Sequence, residues 1–307
     1  MSLGLGCAQL GNLYEERTDE ESLAIVDAAW DAGIRYFDTA PHYGLGLSER
    51  RLGAALAGRP RADFTVSTKV GRLLEPTDEG GLDLADGFAV PRTHRRVWDF
   101  SRDGVRRSIE ESLTRLGLDR IDIALLHDPE HLPEQALREG FPALMELRAE
   151  GIVGAVGSGS KDAGMLTRVV AECTPDVVMV AGRYTLLEQP AAAELLPACA
   201  AAGVGVLAVG VFNSGLLAED VPRDGLPYEY GAAPSQLLRR AAQLAEACAA
   251  HGTTLPAAAI AFPARHPAVA AVVVGADSAE QVRRNAALFA APPPDALWPD
   301  LVQRGLL

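Results

Sequence analysis

The sequence predicts a (β/α)8 barrel, and three observations carry that prediction. Eight short apolar runs punctuate the chain, eight longer amphipathic stretches follow them, and the two kinds alternate from end to end. A length of 307 residues would admit two domains, but barrels of this size are single domains, and a 48% hydrophobic composition is ample for one large core. One domain spanning residues 1–307 is therefore expected.

The runs, in order, are LGLGCA (3–8), IRYFDT (34–39), FTVSTK (64–69), IDIALLH (121–127), VGAVGS (153–158), DVVMVA (176–181), VGVLAVG (204–210) and VAAVVVG (269–275). Val, Ile, Leu and Ala occupy both faces, as in strands covered by helices. Helical periodicity appears in DEESLAIVDAAWDAG, LSERRLGAALAG, SRDGVRRSIEESLTRLG, PEQALREGFPALMELRAEG, KDAGMLTRVVAEC, QPAAAELLPACAAAG, APSQLLRRAAQLAEACAAHG and DSAEQVRRNAALFA. Several of these end on glycine, a usual helix stop. A doubly wound sheet would want a glycine-rich phosphate turn after the first run. Gly4 and Gly6 are present, but Gln9 stands where the third glycine belongs.

Two connections are long, Val70 to Phe100 and Phe212 to Ala233, and both follow strands. They are expected at the C-terminal face of the barrel as functional loops after strands three and seven. The tail APPPDALWPDLVQRGLL breaks at its prolines and resumes as a short helix.

The bulk numbers exclude some function classes. A net charge of −13 argues against a nucleic-acid partner and against an anionic membrane. No apolar run reaches membrane-spanning length, and MSLGLGCAQLG leads to the expectation of a chain without a secretory leader. Cys7, Cys173, Cys199 and Cys248 are scattered and form no CxxC pair. They read as free thiols, and a cytoplasmic protein is expected, a monomer or small homo-oligomer. No metal site is expected.

In a barrel, polar residues at the C-terminal ends of strands point into the active site. Strand two ends at Asp38, strand three at Lys69, strand four at His127 followed by Asp128, and strand five at Ser158; Tyr43 lies in the loop after strand two. Each alone has an ordinary role: Asp38 as a turn cap, Lys69 as a solvated cation, His127 as a structural histidine, Tyr43 as a rim aromatic. Together they make an acid/base centre. A tyrosine has an unperturbed pKa of about 10, a neighbouring ammonium lowers it, and a carboxylate fixes the ammonium. A histidine opposite can orient a substrate oxygen. Such a centre moves one proton at a carbonyl or hydroxyl, and its natural partner is hydride transfer by a cofactor.

The segments GIRYFDTAPHYGLGLSERRLG, FTVSTKVG and DIALLHDP resemble, in order and spacing, the aldo-keto reductases, and the resemblance covers essentially the whole chain. It implies a nicotinamide cofactor across the barrel mouth, Tyr43 as proton donor or acceptor, Lys69 lowering its pKa, Asp38 pairing with Lys69, and His127 orienting the substrate. The segments RVWDFSRDGVRRSIEESLTRLGLDRIDIALLHDP, AGRYTLLEQ and GVFNSGLLA resemble the aldose 1-dehydrogenase branch, with L-fucose, D-threo-aldose and L-galactose dehydrogenases and pyridoxal dehydrogenase as a relative. That branch implies oxidation of a sugar C1 hemiacetal to a lactone. The alternatives are an NADP-dependent aldehyde or ketone reductase, pyridoxal-type enzymes included, and a cofactor-binding regulatory subunit.

The resemblance also implies cofactor contacts at Gly6 and Cys7, at Ser158 and Gly159, and along VVVGADSAEQVRRN at Gly275, Ala276, Asp277, Gln281 and Asn285. Gly159 stands where many members carry Asn, and Ala181 where they carry Gln. NADP users commonly place Lys or Arg just after strand eight. Asp277 at that point would repel a 2′-phosphate and accept from a ribose hydroxyl, so NAD is expected, with NADP as the alternative. Asp277 or Ser278 would also cap the last helix of the barrel. Trp98, Phe212 and Asn213 are the substrate-binding candidates. The arginines of the 70–100 connection are expected on solvated surface, with at most one exception.

Overall fold

In the computed structural model, residues 1–223, 225, 227–228 and 231–307 are described, and all eight apolar runs form strands. They are β1 (Ser2–Gly6), β2 (Tyr36–Asp38), β3 (Thr65–Val70), β4 (Ile121–His127), β5 (Val153–Ser160), β6 (Val177–Ala181), β7 (Gly205–Val209) and β8 (Val269–Gly275). Each pairs in parallel with the next, and β8 pairs back onto β1, closing the barrel. At the closure Gly6 lies level with Asp38 on one side and Gly275 on the other.

The two-residue period of a strand sorts side chains between two layers. Tyr36, Leu125, Met179, Leu207, Ala271 and Val273 fill the barrel. Their alternates, such as Phe37, Leu126, Val178, Val206 and Val272, pack outward under the helices. Continuing the inward set toward the C-terminal ends brings Asp38, Lys69, His127 and Gly159 to the mouth, two residues beyond Tyr36, Ser67, Leu125 and Gly157. Helices follow the strands where the amphipathic stretches predict them, for example Asp19–Asp31, Leu47–Leu56, Arg102–Leu116 and Ala279–Ala290. Leu255–Ala261 adds a short helix, and the tail resumes as Leu297–Gln303. Among the described residues no helix is long and apolar enough to cross a membrane.

The long connection after β3 is an ordered lid. Arg72–Pro76 pairs antiparallel with His94–Trp98, and the stretch between them returns over Tyr43. There Leu45, Leu74, Phe88 and Val90 make a small separate core against the Tyr43 ring. In the connection after β7, residues 210–219 form successive turns. Positions 224, 226, 229 and 230 of that connection lie outside the described residues.

Candidate active site

Tyr43 reaches the mouth because the chain after Asp38 doubles back at two glycines. Gly44 sits at φ +62° against Gly11, where a Cβ would lie 2.2 Å from the Gly11 carbonyl oxygen. Gly46, also in the left-handed region, starts the Leu47–Leu56 helix. That helix is anchored by its first residues. Ser48 donates to the Cys7 carbonyl at 2.7 Å. The fully buried Glu49 accepts from Thr68 Oγ1 at 2.7 Å and from Arg115 Nε at 2.6 Å. The segment LSERRLG is therefore a fastening device for the loop that carries Tyr43.

The four residues expected at the acid/base centre are brought together. Lys69 Nζ donates to Asp38 Oδ2 at 2.7 Å, to the Thr39 carbonyl at 3.0 Å and to Tyr43 Oη at 3.1 Å. Lys69 and Asp38 are only 3% and 6% exposed, so this is a dry ion pair. Ser67 Oγ donates to Asp38 Oδ1 at 2.7 Å, and Tyr36 Oη lies 2.9 Å from Ser67 Oγ. A polar column thus runs up the inside of the barrel from Tyr36 to Tyr43. The His127 ring stands edge-on to Tyr43, with centroids 6.1 Å apart.

Burial pulls Lys69 down, but Asp38 and Tyr43 outweigh it and hold the ammonium above its ordinary pKa. For Tyr43 the balance differs from the expectation. Burial raises the phenol, Lys69 lowers it, Asp38 raises it again, and the net shift is upward. Lys69 pulls in the expected direction; desolvation of the phenolate is the larger effect. His127 is held well below its ordinary value by burial and then by Arg72 and Lys69. His42 is pushed down to about 2 by burial, Arg72, Arg96 and Lys69. Both imidazoles are neutral at physiological pH.

A cavity of about 490 Å³ opens above these groups. Its outer wall is polar: the charged Arg72, Asp128, Glu130 and Lys161 line it with His131 and Ser160. Arg72 pairs with Asp128, approaches the His42 ring at 3.3 Å and lies 4.4 Å over the Trp98 ring. Ser160 donates to both oxygens of Glu130 at 2.8 Å. Arg96 donates to Asp83 at 2.6 Å and to the His42 carbonyl at 2.9 Å, pinning the lid to the Tyr43 loop. The solvated surface expected for these arginines is thus wrong for two of them. Arg72 and Arg96 lie between the lid and the barrel and are neutralised there.

Other expected contacts fall differently. Ser158 is fully buried and donates to the Leu126 carbonyl at 3.3 Å, on the helix-facing side. Strand alternation puts Gly159, not Ser158, on the cavity. Cys7 packs into the core with its thiol toward the Leu5 carbonyl, and burial raises its pKa. Gly6, Gly275 and the buried Ala276 stand where β1 and β8 end. Phe212 packs on the core beside β7, and Asn213 is buried; neither lines the cavity. Trp98 stacks on His131 at 4.2 Å, behind the cavity wall.

Asp277 is engaged by a residue that sequence reasoning missed. Arg17, 8% exposed, donates to Asp277 Oδ1 at 2.6 Å, while Asp277 remains 51% exposed. The two lie 260 positions apart and meet because β1 and β8 are neighbours in the closed barrel; that adjacency was the available signal. Ser278, not Asp277, caps the Ala279–Ala290 helix. Gln281 accepts from the Asp277 N–H at 2.8 Å, and Asn285 lies one turn further along the same helix.

The β5–β8 side of the mouth suits a nicotinamide dinucleotide. Buried amide atoms there lack partners among the described residues: Gln9 Oε1 and both Nδ2 and Oδ1 of Asn213. Gln9 lies over Gly275, where a Cβ would come 2.7 Å from its amide nitrogen. Uncommitted amides beside bare backbone fit a ligand carrying phosphate, hydroxyl and amide groups. Gln9, Gly159, Asn213, Gly275 and the 277–285 segment are the residues that would hold it.

The comparisons agree with this geometry. The pattern described as "Aldo/keto reductase family" matches residues 2–302. A D-threo-aldose 1-dehydrogenase of a Pseudomonas species is 53% identical over 310 residues, covering 100% of this chain and 94% of the relative. A pyridoxal 4-dehydrogenase of Microbacterium luteolum is 37% identical, covering 100% and 94%. Among solved structures, the holo form of an aldo-keto reductase from Bacillus halodurans superposes with a TM-score of 0.78 at 27% identity, covering 99% of this chain and 91% of that one. With the barrel, the strand-end residues and a match along nearly its whole length, the chain belongs to the aldo-keto reductase family and is an oxidoreductase that works with a nicotinamide cofactor.

Proposed function

We propose that the protein is an aldose 1-dehydrogenase that oxidises the C1 hemiacetal of a sugar of the L-fucose, D-arabinose or L-galactose class to its lactone, with NAD as the hydride acceptor. The observation that carries this reading is the wall above Tyr43 and His127, where Arg72, Asp128, Glu130, His131 and Lys161 face the cavity. A polyhydroxylated substrate offers such a wall several hydroxyls to hydrogen-bond, whereas a plain aldehyde offers it a single oxygen. The 53% identity to a D-threo-aldose 1-dehydrogenase supports the same substrate class.

In this reaction Tyr43 Oη takes the proton of the anomeric hydroxyl. Lys69, 3.1 Å away, offsets part of the cost of a buried phenolate, and Asp38 keeps the ammonium charged and fixed. Neutral His127 hydrogen-bonds the C1 oxygen and sets its orientation. The nicotinamide, when bound, supplies the acceptor for the C1 hydride. For NAD over NADP, the support is that Asp277, two residues beyond β8, is an acid whose carboxylate already pairs with the buried Arg17.

The test is absorbance in the reduced-nicotinamide band with L-fucose, D-arabinose, L-galactose or pyridoxal, each with NAD and NADP. Signal with a sugar and NAD is expected. Activity confined to pyridoxal, or no signal with any sugar, overturns the aldose assignment; equal or faster turnover with NADP overturns the cofactor assignment.

A further inference from the structure

We propose that the Arg72–Asp128 ion pair reads the hydroxyl on the carbon next to the reacting one, C2 of the aldose, and so selects 2-hydroxy aldoses. This inference rests on the aldose reading above.

The pair is built in an unusual way. Asp128 directly follows the last residue of β4 and adopts φ +48°, a left-handed conformation. A non-glycine residue pays for that geometry in strain, and such residues concentrate at functional sites. Its N–H is held by the Gly159 carbonyl at 2.8 Å. The carboxylate meets Arg72 and lies with it in the wall of the cavity. Arg72 is itself fixed, with one amine against the His42 ring at 3.3 Å and its guanidinium 4.4 Å over Trp98. Trp98 is backed by His131, with ring centroids 4.2 Å apart. The side chains of Arg72 and Asp128 are 14% and 23% exposed, so the pair is largely dry yet open on the cavity side.

Position supplies the link to substrate. Asp128 Oδ2 lies 3.7 Å from His127 Nε2. An oxygen held by His127 is the one on C1, and the oxygen on the adjoining carbon lies about one hydrogen-bond length further on. A hydroxyl there would donate to the carboxylate and accept from the guanidinium, satisfying both charged groups at once. A methylene in place of that hydroxyl would shut solvent off from the pair and return nothing to it, the situation in which a polar site rejects an analogue strongly.

An ordinary role is also available to the pair. Arg72 opens the lid hairpin and Asp128 follows β4, so the contact could simply fasten lid to barrel. The two roles predict different things. A fastener affects every substrate alike, whereas a reader of the 2-hydroxyl changes the ratio between sugars that differ only at C2.

D-Arabinose and 2-deoxy-D-ribose are such a couple, since the second is the first without its 2-hydroxyl. The experiment measures kcat/KM for both with the full-length enzyme and one saturating cofactor. The wild-type enzyme is expected to favour D-arabinose by at least about 100-fold. In Arg72→Met/Asp128→Leu, which removes both charges together and leaves neither unpaired, both rates fall. The loss on D-arabinose is expected to exceed the loss on the deoxy sugar by at least about tenfold. Asp128→Asn, nearly isosteric, is expected to give an intermediate ratio and serves if the double variant does not fold. Parallel losses on the two sugars, or an unchanged ratio in Asp128→Asn, overturn the proposal. A wild-type enzyme active on aldoses but indifferent to the 2-hydroxyl overturns it alone. A wild-type enzyme inactive on every aldose overturns the aldose reading and this proposal with it.

Discussion

The two halves of the barrel mouth are organised in opposite ways. On the β2–β4 side the strong charges are already answered: Lys69 by Asp38, Arg72 by Asp128, Arg96 by Asp83. On the β5–β8 side the strand ends carry small residues such as Gly159, Ala181 and Gly275, and the buried Asn213 amide has no partner among the described residues. The first half is wired before any ligand arrives, as expected where a proton must move through fixed geometry. The second half keeps buried amide groups that are uncommitted among the described residues and open to a ligand. The acid/base groups are preorganised by their own ion pairs, whereas the amides on the other side are left uncommitted among the described residues.

The largest way to break this contrast is on the wired side. Tyr43→Phe removes the proton acceptor and is expected to lower kcat by about 10³-fold, with little change in cofactor affinity measured by fluorescence titration. Surviving turnover would reassign the proton transfer. The wild-type pH profile sharpens the same point. Burial raises the Tyr43 pKa, so the phenol is protonated at neutral pH while oxidation needs the phenolate. The rate of sugar oxidation therefore rises with pH toward the alkaline range. His42, held at about 2, and His127, held well below its ordinary value, stay neutral and contribute no limb between about pH 5 and pH 8.

Next in size is Gly44→Ala. The side chain would meet Gly11 at 2.2 Å and require φ +62°. A loss of at least about 2 kcal/mol is expected, read as a lower urea midpoint at unchanged slope. Displacement of Tyr43 should add a fall in kcat. An unchanged midpoint would show that the 8–11 segment can move aside.

On the open side the effects are smaller. Asn213→Gly keeps the left-handed backbone at φ +48° and deletes a buried amide that has no partner among the described residues. Cofactor affinity is expected to drop about tenfold, while the melting temperature without cofactor holds. A fall in melting temperature with affinity intact would make Asn213 structural. The smallest change is at Asp277→Ser, which releases Arg17. The ratio of kcat/KM for NADP over NAD should rise about threefold to tenfold, and a flat ratio would remove Asp277 from cofactor choice.

Much of this was legible in the sequence because short apolar runs alternate with amphipathic helical stretches. The runs, apolar on both faces, located all eight barrel strands, and the strand ends singled out Asp38, Lys69 and His127. What escaped depended on distance and burial. The lid strands 72–76 and 94–98 are charged and short, so they carry no apolar period. Arg17 and Asp277 lie 260 positions apart. A single step of strand alternation turns the Ser158 side chain to the face opposite Gly159, where it bonds the Leu126 carbonyl. The sign of the Tyr43 shift follows from how dry the phenol is, which residue identities do not reveal.

The Gly11–Gly44 contact bears on how this scaffold can be re-engineered. The loop after β1 and the loop after β2 press backbone on backbone there, with no side chain between them to absorb a mismatch. A chimera that imports a relative's 39–49 segment must import its 8–11 segment too, because the two loops form one exchangeable part.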